Sequence, residues 1–144
     1  MIENKSSVYI GIDYGKKKSG VSISDNNKVI SFPLDTIETT SLLSYISDLS
    51  MKENIEKVII GKPIKLNNDV HEIELSIIKF IDNLKSLYPK MDIKRIDERF
   101  TSTISKKIIL DSGINKKKRS DKSTIDKISA SLILESYLIT KSND

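Results

Sequence analysis

The chain has 144 residues, a formal net charge of +4, no cysteine and a single histidine, His71. That length suits one domain, expected over residues 1–144, and the missing cysteines exclude disulfides, thiolate nucleophiles and cysteine zinc sites. Any metal would be held by carboxylates, which select hard ions such as Mg2+ or Mn2+; with no apolar run of spanning length and no hydrophobic signal core in Met1–Lys5, no membrane contact and a cytoplasmic location are expected.

The first element is an apolar run from Val8 to Ile12 that ends in Asp13 and breaks at Tyr14-Gly15. Apolar residues on both pleat faces suit a central strand, which would deliver the Asp13 carboxylate at its end, followed by positive charge from Lys16, Lys17 and Lys18. Gly20–Ser24 reads as a second strand, Asp25–Lys28 as a turn, and Val29–Phe32 as the returning arm of a hairpin that Pro33 should end. Thr39, Thr40 and Ser41 offer caps to a helix with Leu42, Leu43, Ile46 and Leu49 on one face. Val58–Ile60 is a short buried strand leaving through Gly61-Lys62-Pro63. Because it follows a helix, it should pair parallel to the first.

Asp69 and Glu72 form a capping-box pattern ahead of Ile73, Ile77, Phe80, Ile81 and Leu84, which recur at helical spacing until Tyr88-Pro89. A strand from Met91 to Ile96 runs into Asp97–Ser102. A helix through Leu110 follows, with Gly113 as its C-cap. Residues 114–122 are polar and basic, and a last helix should begin near Thr124, turning Ile125, Ile128, Leu132 and Ile133 to the core. Five strands in the order hairpin first and helix crossovers after give an α/β fold, a mixed five-stranded sheet with helices on both faces.

Three acids could converge at one end of such a sheet: Asp13, Glu98 just past the fifth strand, and Asp126 in the first turn of the last helix. Clustered carboxylates repel unless a cation neutralises them, and divalent ions held this way can activate water against a phosphodiester. Each acid has a plainer role open to it. Asp13 could cap its own turn, Glu98 could pair with Arg95 or Arg99, and Asp126 closes a capping box from Ser123. Ser129 and Ala130, one turn beyond Asp126, are small enough to let the helix approach a strand closely. His71 reads as an exposed first-turn residue rather than a base. Lys16, Lys18, Arg99, Lys116, Lys117, Lys118, Arg119 and Lys122 are the candidate nucleic-acid contacts, although a run of charge is also what a solvated loop looks like.

Gly11-Ile12-Asp13-Tyr14-Gly15, Ile60-Gly61-Lys62-Pro63, Asp97-Glu98-Arg99-Phe100-Thr101-Ser102 and Ile125-Asp126-Lys127-Ile128-Ser129-Ala130, in that order across nearly the whole chain, resemble the YqgF family, also called RuvX or Holliday-junction-resolvase-like. The chain departs from the family pattern at Lys62 and at Asn67-Asn68. The resemblance implies an RNase H-like nuclease domain in which Asp13, Glu98 and Asp126 are catalytic and bind Mg2+ or Mn2+. It further implies hydrolysis at the end of pre-16S rRNA during ribosome maturation, with a ribosomal precursor as partner. The alternatives are a Holliday-junction DNA resolvase and a non-catalytic RNA- or nucleotide-binding module of RNase H or actin-like fold. A second glycine-rich phosphate loop, which the actin-like reading needs, is missing from the sequence.

Overall fold

A computed structural model describes residues 6–63, 68–97 and 122–142. Among these residues the strands are β1 (Val8–Asp13), β2 (Lys18–Ser24), β3 (Ser31–Glu38), β4 (Ile55–Lys62) and β5 (Asp92–Asp97), and the helices are α1 (Leu42–Lys52), α2 (Asn68–Leu87) and α3 (Lys122–Ser142). They form one sheet in the order β3-β2-β1-β4-β5. β1 to β3 are antiparallel neighbours, whereas β4 and β5 join parallel to β1, so the C-terminal ends of β1, β4 and β5 share one edge.

β1 is central, and the pleat sorts its side chains between two cores. Val8, Ile10 and Ile12 face α1 and α2, where Leu42, Ile46, Ile77, Phe80 and Leu84 close over them. Tyr9 faces α3 and joins Ile59, Ile133, Leu134 and Leu138. Covering both faces explains why the first strand reads as an unbroken apolar run rather than an alternating one. The expected fold, a mixed sheet with helices on both sides, is what forms.

Three expectations need correction. Pro33 does not end the second hairpin arm, because β3 continues to Glu38. β3 is an edge strand, where a residue without an N–H can be tolerated, and a register shift opposite Val21 and Ser22 takes up the irregularity. Lys122 already belongs to α3, not to a preceding loop, and Asp126 lies past the first turn of that helix. The buried stripe of α3 is also rotated from the one expected. Ala130, Ile133, Leu134 and Leu138 are buried together with Leu132, while Ile125 and Ile128 are only half-buried. The expected helix through Leu110 with its Gly113 cap, and the basic run Lys116–Arg119, lie outside the described residues.

Candidate active site

The parity that turns Tyr9 toward α3 does the same for Gly11 and Asp13. Asp13 therefore ends β1 on the α3 face, opposite Gly20 of β2. The approach of α3 to this face is unusually close. A Cβ on Gly20 would fall on the carbonyl oxygen of Asp126, and one on Gly11 would lie 2.8 Å from both the Ala130 carbonyl oxygen and the Leu134 Cβ. Between these glycines the buried Ser22 hydroxyl donates to the Ala130 carbonyl at 2.7 Å. Further along, the Ser31 hydroxyl lies 2.6 Å from the Ser131 carbonyl and 2.9 Å from its hydroxyl. A lane of glycine and serine on β1 and β2 thus receives the start of α3, and no larger side chain could occupy it without lifting the helix away.

The consequence is a cleft of about 360 Å³ lined by Asp13, Gly15, Lys16, Lys17, Lys18 and Asp126. Both carboxylates are half-buried, and Oδ2 of Asp126 is shielded from solvent. The three lysines are exposed at the rim. Two like charges sharing a partly desolvated cleft disfavour each other, which is the situation a cation relieves. The donor set is all carboxylate oxygen and so fits Mg2+ or Mn2+ better than a softer metal. Among the described residues no group of three His, Cys, Asp or Glu gathers in a metal-holding arrangement. Glu98, the third expected acid, and Arg99 lie outside the described residues.

The loop that carries the lysines is tied down by a short cycle of hydrogen bonds. The Gly15 N–H donates to the Ser19 hydroxyl at 3.2 Å, and the Thr39 hydroxyl donates to the Gly15 carbonyl at 2.8 Å. Since the Thr39 proton is spent there, the 2.7 Å contact between the two hydroxyls must be Ser19 donating to Thr39. The Thr39 N–H adds a bond to the Lys17 carbonyl at 2.8 Å. Ser19 is fully buried, so the turn beside Asp13 is fixed from beneath by the β3 end.

On the other side of the edge, Arg95 of β5 spends every guanidinium nitrogen on fixed partners. It meets both Glu74 carboxylate oxygens, at 2.6 and 3.2 Å, and the carbonyls of Ile60 and Gly61. This pairing binds α2 to the ends of β4 and β5, and it occupies the arginine that was a candidate partner for Glu98.

Of the expected site residues, Asp13, Asp126, Lys16 and Lys18 line one cleft, while His71 is exposed on α2. Lys17 belongs with them but was not among the expected contacts. The Gly11, Gly20 and Ser22 lane and the Ser19–Thr39 clamp were also missed; the available signal was the run of small residues at alternate positions of β2.

A family model described as "RuvX: Holliday junction resolvase" matches residues 7–140. A protein of Bacteroides fragilis, named "Putative pre-16S rRNA nuclease", is 41% identical over 132 residues, covering 92% of this chain and 96% of its own length. A protein of the same name from Porphyromonas gingivalis is 38% identical over 129 residues, covering 90% of this chain and 94% of that one. Among solved structures, Thermus thermophilus RuvC in complex with a Holliday junction matches with a TM-score of 0.61 at 10% identity, over 94% of this chain and 96% of that one. The Fowlpox virus resolvase bound to junction DNA matches with a TM-score of 0.58 at 15% identity, over 93% and 98%. At these identities the two structures speak to the fold, which is RNase H-like.

Proposed function

Because the chain belongs to the RuvX family, we propose that it is a nuclease that hydrolyses phosphodiester bonds in structured nucleic acid and that its substrate is the end of pre-16S rRNA. The observation that carries this reading is the docking of α3 on the small-residue lane, which sets Asp126 beside Asp13 in a cleft rimmed by Lys16, Lys17 and Lys18. Bare acids at that position would repel a polyphosphate, and exposed lysines at the mouth offset the repulsion.

In this reading Asp13 and Asp126, together with Glu98, would hold Mg2+ or Mn2+. Such an ion supplies an activated water and neutralises charge on the phosphate. The chain's own contribution is positional. β1 and α3 are rigid elements, so the two carboxylates need no reorganisation when substrate arrives. Lys16, Lys17 and Lys18 draw the backbone phosphates to the cleft, and the Ser19–Thr39 clamp keeps those lysines from swinging away. Arg99, Lys116, Lys117, Lys118, Arg119 and Lys122, the other expected contacts, would add positive charge that favours a polyphosphate.

The test is purified protein with pre-16S rRNA and, separately, four-way junction DNA, each with Mg2+ or Mn2+. We expect cleavage of the rRNA, its loss on chelation and its return when either ion is added back. Asp13→Asn, nearly isosteric, should fold normally and cleave neither substrate. Preference for the junction would make DNA the substrate, and undiminished cleavage by folded Asp13→Asn would remove the cleft from the reaction.

A further inference from the structure

The C-terminal edge of β1 carries a second feature that the two acids do not use. Tyr14 follows Asp13 but points to the opposite face, where its ring packs on Phe80 of α2 with centroids 5.8 Å apart. Two cavities open beside it. The smaller, about 110 Å³, is lined by Tyr14, Lys16, Glu72, Ile73 and Ser76. The larger, about 280 Å³, lies between α1 and α2, with Tyr14, Leu43 and Phe80 as its apolar floor and Thr40, Lys79 and Asn83 among its polar walls. Tyr14 and Ser76 are walls of both, and Lys16 is a wall of the smaller cavity and of the acidic cleft. The acidic cleft and the two cavities thus neighbour one another across Lys16, Tyr14 and Ser76, with a concave, aromatic-floored groove on the face opposite the carboxylates.

We propose that this groove binds an unpaired nucleotide next to the scissile phosphate, its base on the half-buried Tyr14 and Leu43, which the buried Phe80 ring backs. The inference rests on the nuclease reading, since it takes the acidic cleft as the place of cleavage. The chemistry of the walls argues for a nucleotide. An apolar, aromatic floor suits a base face, and base–aromatic stacking tolerates any base. Lys16 and Lys79 stand at two ends where backbone phosphates would pass, and Asn83 offers both a donor and an acceptor to a base edge. Glu72, at the inner cavity, repels phosphate but accepts from a ribose hydroxyl or an exocyclic amine, which sets the nucleotide's direction. A paired base could not enter, because its face is covered within the stack; the groove therefore selects a substrate whose pairing ends at the cleavage point.

The experiment measures binding in chelator, so that cleavage plays no part. Two RNA duplexes are compared, one blunt and one with a short unpaired flank, against the native protein, Ser76→Trp and Asn83→Ala. Ser76 is exposed on α2 and touches both cavities, so tryptophan there fills them without entering the core; the thermal midpoint checks folding. The native protein should favour the flanked duplex by about tenfold, as one stacked base provides. Ser76→Trp should remove that advantage and Asn83→Ala should reduce it. Equal binding of the two duplexes by the native protein, or an undiminished advantage in folded Ser76→Trp, overturns the proposal. A preference for the flank together with no cleavage of pre-16S rRNA in Mg2+ or Mn2+ would instead overturn the nuclease reading and leave the groove standing.

Discussion

At the scale of single residues, the position of Asp126 decides what that acid can do. An acid that closes a capping box must sit in the first turn, within reach of the helix's opening N–H groups. Asp126 lies beyond that turn and faces the cleft with Asp13. We therefore expect Asp126→Asn to lower cleavage by at least about 100-fold, the upper end of what losing even an outer-shell metal partner costs. Its metal-free thermal midpoint should change little, because the amide is nearly isosteric with the carboxylate and the acid lies outside the capping turn. A lower midpoint with normal cleavage would return Asp126 to a capping role. Asp25 illustrates a purely structural acid. Its carboxylate accepts from the N–H groups of Ile30 and Val29, at 2.9 and 2.7 Å, and these bonds hold its pKa below the ordinary carboxylate value. A depressed folded pKa contributes stability above the unfolded value of about 3.9 that is lost as pH falls further. Asp25→Ala should therefore melt lower than the native protein at pH 7, and the difference should shrink in scans taken below about pH 4.

At the scale of elements, the seat of α3 is what builds the site. Gly20→Ala places a methyl group on the Asp126 backbone, which is rigid, so the helix start has to move. Overpacking of this kind costs about 1–3 kcal/mol, and cleavage should fall even where the variant is fully folded. Ser22→Ala only removes the hydroxyl bond to Ala130 and should cost about 1 kcal/mol in a urea titration, with most activity kept. Comparing the two separates the position of α3 from its stability. Across the sheet edge, Arg95→Leu leaves Glu74 and two carbonyls without their charged donor, a loss of about 1.5–3 kcal/mol. It should reduce the urea midpoint at unchanged slope, with activity following stability.

At the scale of the whole molecule, the sheet divides two surfaces of different character. The C-terminal edge of β1 gathers the acids, the lysines and the Tyr14 groove, whereas β3 and the turn leading into it expose Val29, Ile30, Phe32 and Leu34, with Pro33 and a register shift interrupting the strand. Such interruptions blunt an edge that would otherwise pair with another chain. If nucleic acid crosses the β1 edge, replacing Lys16, Lys17 and Lys18 together with Gln should flatten the dependence of log affinity on log salt by roughly 0.7–0.9 for each phosphate that is no longer neutralised. An unchanged slope would send the substrate across another face. The same measurement on the quadruple replacement of Lys116, Lys117, Lys118 and Arg119 tests whether that run extends the binding surface.

Much of this architecture is written in local pattern. The apolar run ending at Asp13, the 3.6-residue spacing of Ile77, Phe80 and Leu84, and the turn at Asp25–Lys28 each report their element without reference to the rest of the chain, because periodicity and turn chemistry act over a few residues. Their order then restricts the sheet topology, since crossovers after helices pair strands in parallel. Other features depend on distant partners. Pro33 is acceptable only because β3 lies at the edge, and the buried stripe of α3 departs from the one expected because Ala130 and Leu134 must meet Gly11. The serine that holds α3 stands 108 residues from its acceptor, Ala130. Sequence alone determined that Asp13 ends a central strand and that Asp126 lies on the last helix with small residues one turn behind it. Only the tertiary structure decided that these acids share a cleft, because the closeness of helix to sheet is set by the absence of side chains on the facing strands, a property of two surfaces together.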